Sequence, residues 1–306
     1  MHDNVPSLIQ QVFDHSSIKI TEIPSDELKG TQSQSAWYVL DEMTGQDWFV
    51  KVVSQKKWGT INTHNTHEWT LKKVHDQWLK KDNIELVLPV RGGLFQFNQI
   101  EEQLYLLVYP FIKAPSLRDL LEDYVHETYE KKPCNSSQCI VKNKSRLTRA
   151  FTHYGYAAAA VYFGPVDQVG PLYDKLDREV YIRTDDRNLH NVMYRESSRG
   201  VGKVYYVDLN TTNINSNLDL TFHAYLDTGY FGGDSLQLQL ADILRHILSA
   251  SKDAGCNDQC IKTISESFTS GFTSYFSASD QRDKPEKLLK FCFDVARKVL
   301  SDSQGG

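Results

Sequence analysis

The chain has 306 residues, 40% hydrophobic and 24% charged, which is room for one two-lobed domain or two small ones. With 34 basic and 39 acidic side chains the formal charge is −5, so no broad basic surface points to nucleic acid. No apolar run approaches the ~18 residues of a bilayer span, and Met1-His2-Asp3-Asn4 lacks the basic and apolar blocks of a secretory leader.

In chain order, residues 18–23 form a weak strand candidate. Residues 35–41 and 47–53 are richer in aromatic and β-branched side chains, and Met43-Thr44-Gly45-Gln46 between them predicts a hairpin turn. Residues 67–79 predict an amphipathic helix, with Leu71, Val74 and Trp78 on one stripe and Glu68 beside it. Two further strands are expected at 84–90 and 103–109. After Pro110 the pattern turns helical. Ser116, with Asp119 three residues on, is an N-cap for a helix over 116–124. Residues 127–144 are polar, hold Cys134 and Cys139, and read as a loop or insertion. Helical spacing returns in Leu147, Phe151, Tyr154, Ala158 and Val161, then in Leu236, Leu240, Ile243, Leu244 and Ile247, and last in Leu288, Cys292, Val295 and Val299.

Five cysteines are present, two pairs of them close in sequence: Cys134/Cys139 and Cys256/Cys260. Neither pair has the spacing or histidine partners of a zinc site. Either could close as a local disulfide outside a reducing cytosol. An odd count without a leader favours reduced thiols, and their oxidation state stays open.

The chemistry-bearing residues fall in a fixed order. Lys51 lies in an apolar strand, where an ammonium is costly unless paired, and Glu68 on the following helix is the expected partner. Further on come Asp186-Arg187-Asn188-Leu189-His190-Asn191 and then Val204-Tyr205-Tyr206-Val207-Asp208. An Asp, an Asn five residues later and an Asp closing a short strand combine a group for orienting a hydroxyl with two hard oxygen ligands for magnesium. Asp185, Asp186 and Asn188 also suit a turn rich in side-chain caps. His190 is expected to order that loop.

Taken together these residues resemble the protein-kinase-like superfamily. The resemblance implies an α+β, two-lobed fold, with a small antiparallel-sheet N-lobe over 1–110 and a larger, mainly helical C-lobe over 111–306. It implies ATP and magnesium as cofactors. Lys51, held by Glu68, would meet the nucleotide phosphates, with Gly30 and Ser33 on the only candidate phosphate loop. Tyr109-Pro110-Phe111-Ile112 would be the hinge against adenine, with Tyr109 and Phe111 as nucleotide contacts. Asp186 would orient the acceptor, and Asn191 and Asp208 would hold the metal. The helix over 236–248 would be the central helix of the large lobe.

The wording departs from protein kinases in several places. Thr184-Asp185-Asp186 stands for His-Arg-Asp, Asp208-Leu209-Asn210 for Asp-Phe-Gly, and Asn188 for the usual lysine. Phe49 is bulky where a small residue commonly lies against adenine. Asp186-Arg187 with Asn191-Val192-Met193 is similar to phosphoinositide kinases. Leu189-His190-Asn191 is similar to aminoglycoside and choline phosphotransferases and to divergent bacterial effector kinases. The leading expectation is a divergent kinase acting on a protein acceptor, with a small-molecule or lipid kinase as the alternative. A pseudokinase binding module and an AMP transferase on the same scaffold stay open. The expected location is the cytoplasm, or a host cell reached by a signal-independent secretion route.

Overall fold

The computed structural model describes residues 5–14, 17–24, 35–54, 79–98, 103–130, 137–163, 188–196, 202–207, 235–276 and 283–302. The chain forms two compact units, one of Met1–Leu71 with Val87–Lys113, the other of Lys72–Leu86 with Ala114–Gly306. The first is built on an antiparallel sheet and the second is mainly helical, an α+β protein.

The first unit opens with helix α1 (Val5–Phe13) and strand β1 (Ile18–Ile23). Strands β2 (Ser35–Asp41) and β3 (Gln46–Ser54) form the expected hairpin. Its turn is built by the buried Asp41, whose carboxylate accepts the amides of Met43 and Thr44 at 3.0 and 3.2 Å. Gly45 takes the left-handed conformation at φ 67°, which a glycine adopts without steric cost. Strands β5 (Val90–Asn98) and β6 (Gln103–Pro110) complete a five-stranded sheet in the order β1-β2-β3-β6-β5, every pair antiparallel. The register of β5 shifts between Val90 and Phe95, which puts Arg91-Gly92-Gly93-Leu94 against Leu107 alone, a bulge. One sheet face is the core: Val5, Leu8, Ile9, Val12 and Phe13 of α1 pack on Trp37, Val39, Trp48, Val50, Val52, Leu106 and Val108.

In the second unit strands β7 (Val192–Glu196) and β8 (Gly202–Tyr206) form an antiparallel hairpin. Strand β4 (Ile84–Leu86) adds to β8 in parallel, with the Val204 amide donating to the Asn83 carbonyl at 3.0 Å. The single strand expected over 84–90 is therefore two strands in two sheets.

Helix α2 (Leu117–Val125) carries the expected cap in full. The Ser116 hydroxyl accepts the Asp119 amide at 3.1 Å, and the Asp119 carboxylate accepts the Ser116 amide at 2.9 Å. A five-residue π-type turn, His126–Glu130, follows. Helix α3 (Ser137–Phe163) begins inside the segment expected to be a loop, so that expectation fails over 137–144. Its later half is apolar all along one side, with Leu147, Phe151, Tyr154, Ala157, Ala158 and Val161 buried.

Helices α4 (Ser235–Asp253), α5 (Asp258–Tyr275) and α6 (Asp283–Asp302) complete the described chain. Leu240, Ile243, Leu244 and Ile247 of α4 are buried, as expected from their spacing. Helices α3 and α5 cross with their backbones close together. A methyl group at Gly155 would overlap the Phe268 carbonyl, and one at Gly271 the Thr152 carbonyl, so the two backbones meet where neither has a side chain. Tyr154 and Phe268 pack edge to face beside that crossing, 5.3 Å apart. No helix among the described residues is long and apolar enough to cross a membrane.

Candidate functional site

Lys51 occupies the middle of β3, paired with Ala36 of β2 on one side and Leu107 of β6 on the other. Strand side chains alternate between faces. Val50 and Val52 belong to the core under α1, so Lys51 and Phe49 stand on the opposite face. Residues directly across an antiparallel pair share a face. Two rows result, Ala36–Lys51–Leu107 and Tyr38–Phe49–Tyr109. Lys51 is only 5% exposed and both its row neighbours are fully buried. An ammonium buried to this degree is expensive unless it is paired and hydrogen-bonded. Phe49 and Tyr109 lie with ring centroids 6.3 Å apart at a tilt.

The end of β6 is fixed by backbone and side chains together. The Phe111 amide donates to the Asp47 carbonyl at 3.0 Å. Hydrogen-bonded and non-hydrogen-bonded pairs alternate along an antiparallel ladder. Tyr109 and Phe111 therefore turn their backbone groups toward β3. Pro110, opposite Trp48, falls at the non-bonded position, where its missing amide hydrogen costs the ladder nothing. By the same alternation the Pro110 carbonyl points away from β3, beyond Val90–Val108, the last pair made with β5.

A polar network braces this corner. The Tyr38 hydroxyl donates to the Asp47 carboxylate, which also pairs with Lys113. Lys113 first and Tyr38 second hold the Asp47 carboxyl below its usual range. The Phe111 ring stands edge-on to Tyr38 at 5.1 Å.

In the second unit, Asn188 caps a short 3-10 turn, Leu189–Asn191. Its side chain accepts the His190 amide at 3.2 Å and its carbonyl accepts the Asn191 amide at 2.9 Å. The side-chain-capped turn expected for Asn188 is thus present. Leu189 is buried and anchors the turn, while Asn191 is half-buried. The Asn191 carbonyl then accepts the Val207 amide at 2.9 Å, one step beyond the Val192–Tyr206 pair of the hairpin. So Asn191 and the residue that immediately precedes Asp208 face each other across the open end of β7 and β8. The hairpin is tied back to the start of α2 by the Tyr194 amide, which donates to the Pro115 carbonyl at 2.9 Å.

Of the residues expected at a site, Lys51, Tyr109 and Phe111 thus lie in the first unit and Asn191 in the second. Gly30, Ser33, Glu68, Asp186 and Asp208 lie outside the described residues. Sequence reasoning did not single out Asp47, Tyr38 and Lys113, which brace the hinge segment. Asp47 lies at period 2 from Lys51, but its meeting with Tyr38 depends on the register of β2 against β3, which no local pattern states.

No family model matches the chain, and no curated protein matches it in sequence. Among solved structures it is similar to an ethanolamine kinase of Plasmodium vivax, at 8% identity and a TM-score of 0.39, over 92% of this chain and 74% of that one. It is also similar to a spectinomycin phosphotransferase solved with ADP and spectinomycin, at 11% identity and a TM-score of 0.38, over 95% of this chain and 97% of that one.

Proposed function

We propose that the chain is a phosphotransferase that moves the terminal phosphoryl group of ATP to a hydroxyl acceptor with magnesium bound. The observation that carries this reading is Lys51: a buried ammonium on a central strand, on the sheet face opposite the α1 core, beside the aromatic row Tyr38–Phe49–Tyr109. A cation set beside flat apolar rings suits a ligand with a charged and an aromatic end, as a nucleotide has. The Pro110 carbonyl, turned away from β3, would offer an acceptor of the kind an adenine edge pairs with.

Asn191 and Asp208 are hard oxygen donors of the type magnesium prefers, and the Asn191–Val207 bond supports their placement at one end of a hairpin. Bound there, the ion would neutralise charge that builds on the phosphate oxygens. Lys51 would hold phosphate oxygens, with Glu68 fixing its direction. Asp186 would orient the acceptor hydroxyl and take its hydrogen bond, a positional task in a reaction with a loose transition state. Gly30 and Ser33 would cover the phosphates.

For the acceptor, the ending Leu189-His190-Asn191, similar to that of aminoglycoside and choline phosphotransferases, weighs toward a small-molecule alcohol. A protein hydroxyl is the second arm of the same experiment. Purified protein is incubated with ATP and magnesium and, separately, with amino alcohols, aminoglycosides and a protein lysate, and products are read by intact mass. Gain of one phosphoryl group that disappears in Asp208→Ala supports the reading and identifies the acceptor class. Gain of an adenylyl group, or nucleotide binding without any product, overturns it.

A further inference from the structure

The corner between α4 and α5 holds two thiols that the phosphotransfer reading does not use. Cys256 and Cys260 are free and joined by a hydrogen bond between their side chains. Their backbone is fixed on both sides. The Cys256 amide donates to the Ser251 carbonyl and the Gly255 amide to the Lys252 carbonyl, both at 2.9 Å, and Gly255 takes φ 85° to end α4. Asn257 then caps α5, accepting the Cys260 amide at 2.9 Å. Cys260 therefore sits in the first turn of α5, where the helix dipole favours a thiolate. It also lines a small, partly open pocket with Tyr124, Lys144, Thr148 and Thr263, with room for a water-sized molecule. Cys260 itself is buried, and Cys256 is partly exposed.

We propose that Cys256 and Cys260 form a peroxide-oxidised dithiol site that closes to a disulfide at the α4–α5 corner.

The two sulfurs have different roles. The hydrogen bond from the Cys256 thiol favours the thiolate at Cys260, burial opposes it, and the charge of Lys144 adds a smaller favourable part. The same hydrogen bond, together with burial, keeps Cys256 protonated. The Cys260 thiolate attacks one oxygen of hydrogen peroxide, the O–O bond breaks, and the departing hydroxide takes a proton to become water. Cys260 is then a sulfenic acid. Cys256 loses its proton as its sulfur attacks the Cys260 sulfur, the S–O bond breaks, and a second water leaves. Two thiols have given up two electrons and peroxide is reduced to water.

The test uses the full chain. Reduced protein is exposed to hydrogen peroxide, remaining thiols are alkylated, and trypsin is added. Cleavage after Lys252 and Lys262 releases one peptide that holds both sulfurs. That peptide is expected unalkylated and lighter by two hydrogens about tenfold sooner than Cys292, also buried but in the middle of α6, is oxidised. In Cys256→Ser, which removes the resolving thiol, dimedone should label Cys260. The idea is overturned if the peptide stays fully alkylated while Cys292 is consumed, or if dimedone in the folded variant labels other cysteines and spares Cys260. The wild-type time course decides by itself if the variant does not fold.

Discussion

Replacing the Lys51 ammonium by the uncharged side chain of methionine tests its part in phosphate binding. Removing one member of a buried charge pair leaves the other uncompensated and costs about 3–5 kcal/mol. Lys51→Met is therefore expected to lower the melting temperature and to abolish the thermal shift given by ATP with magnesium. Phosphotransfer should fall on the order of 10²-fold or more, as for loss of one donor at a charged transition state. A folded variant that keeps both the thermal shift and the transfer would contradict the assignment of Lys51 to the phosphates.

Asp47 gives a prediction in pH. Its carboxyl is held below the usual range by Lys113 and then Tyr38. A folded-state value below the unfolded one means that the carboxylate stabilises the fold above the unfolded value, ~3.9, and that this is lost as pH falls through the lower folded value. The melting-temperature gap between wild type and Asp47→Asn should thus be full at neutral pH and close only below about pH 4. A gap that instead grew on acidification would contradict the Tyr38–Asp47–Lys113 bracing.

Among the elements, α3 and α5 depend on what their crossing lacks. With carbonyl groups where a Cβ would fall, Gly155→Ala or Gly271→Ala must push the helices apart, and overpacking of this kind costs about 1–3 kcal/mol. Urea unfolding should show the loss as a lower midpoint. Gly45→Ala is the useful contrast: nothing lies near its Cβ, so only the left-handed backbone at φ 67° is strained, at roughly 1–2 kcal/mol. Ser116→Ala, which removes one half of the α2 capping box, should cost about 1 kcal/mol.

Elements differ in how far they could be read from sequence, and the differences have physical causes. The hairpin of β2 and β3 and the cap of α2 are written in neighbouring residues, Met43-Thr44-Gly45 and Ser116 with Asp119, and both formed as expected. Helix α1 carries a full apolar stripe at Val5, Leu8, Ile9, Val12 and Phe13, a local pattern of the same kind. The first turns of α3 were harder to read. Cys139-Ile140-Val141 is a short apolar run between polar segments, and Lys142-Asn143-Lys144-Ser145 separates it from the clear helical spacing that starts at Leu147. Lys51 stood out as a charge in an apolar strand. The pairing of the Asn191 carbonyl with Val207 did not, because it depends on a hairpin register that no local pattern states.

At the scale of the whole molecule, the chain does not divide at one point. Residues 1–110 and 111–306 were expected as two lobes, yet β4 lies within the first stretch and pairs with β8 in the second. The pairing is reinforced by Lys203 and Glu85, 2.5 Å apart. A fragment of residues 114–306 would leave the β8 edge bare, and an unpaired edge invites association with other chains. Such a fragment should aggregate on purification, and one with residues 79–86 joined to it should be the more soluble, as light scattering would show. Equal behaviour would mean that β4 is dispensable to the second unit.

The bond between Asn191 and Val207 also works as a ruler. The separation of Asn191 from Val207 is set by the ladder between β7 and β8. Extra residues spliced into the chain that joins Glu196 to Gly202 leave the ladder unchanged, so an affinity tag or a fluorophore could be carried there without respacing the open end. A slip of the ladder by a single residue would do the reverse, turning every side chain of one strand to the other face while leaving the composition of the hairpin intact.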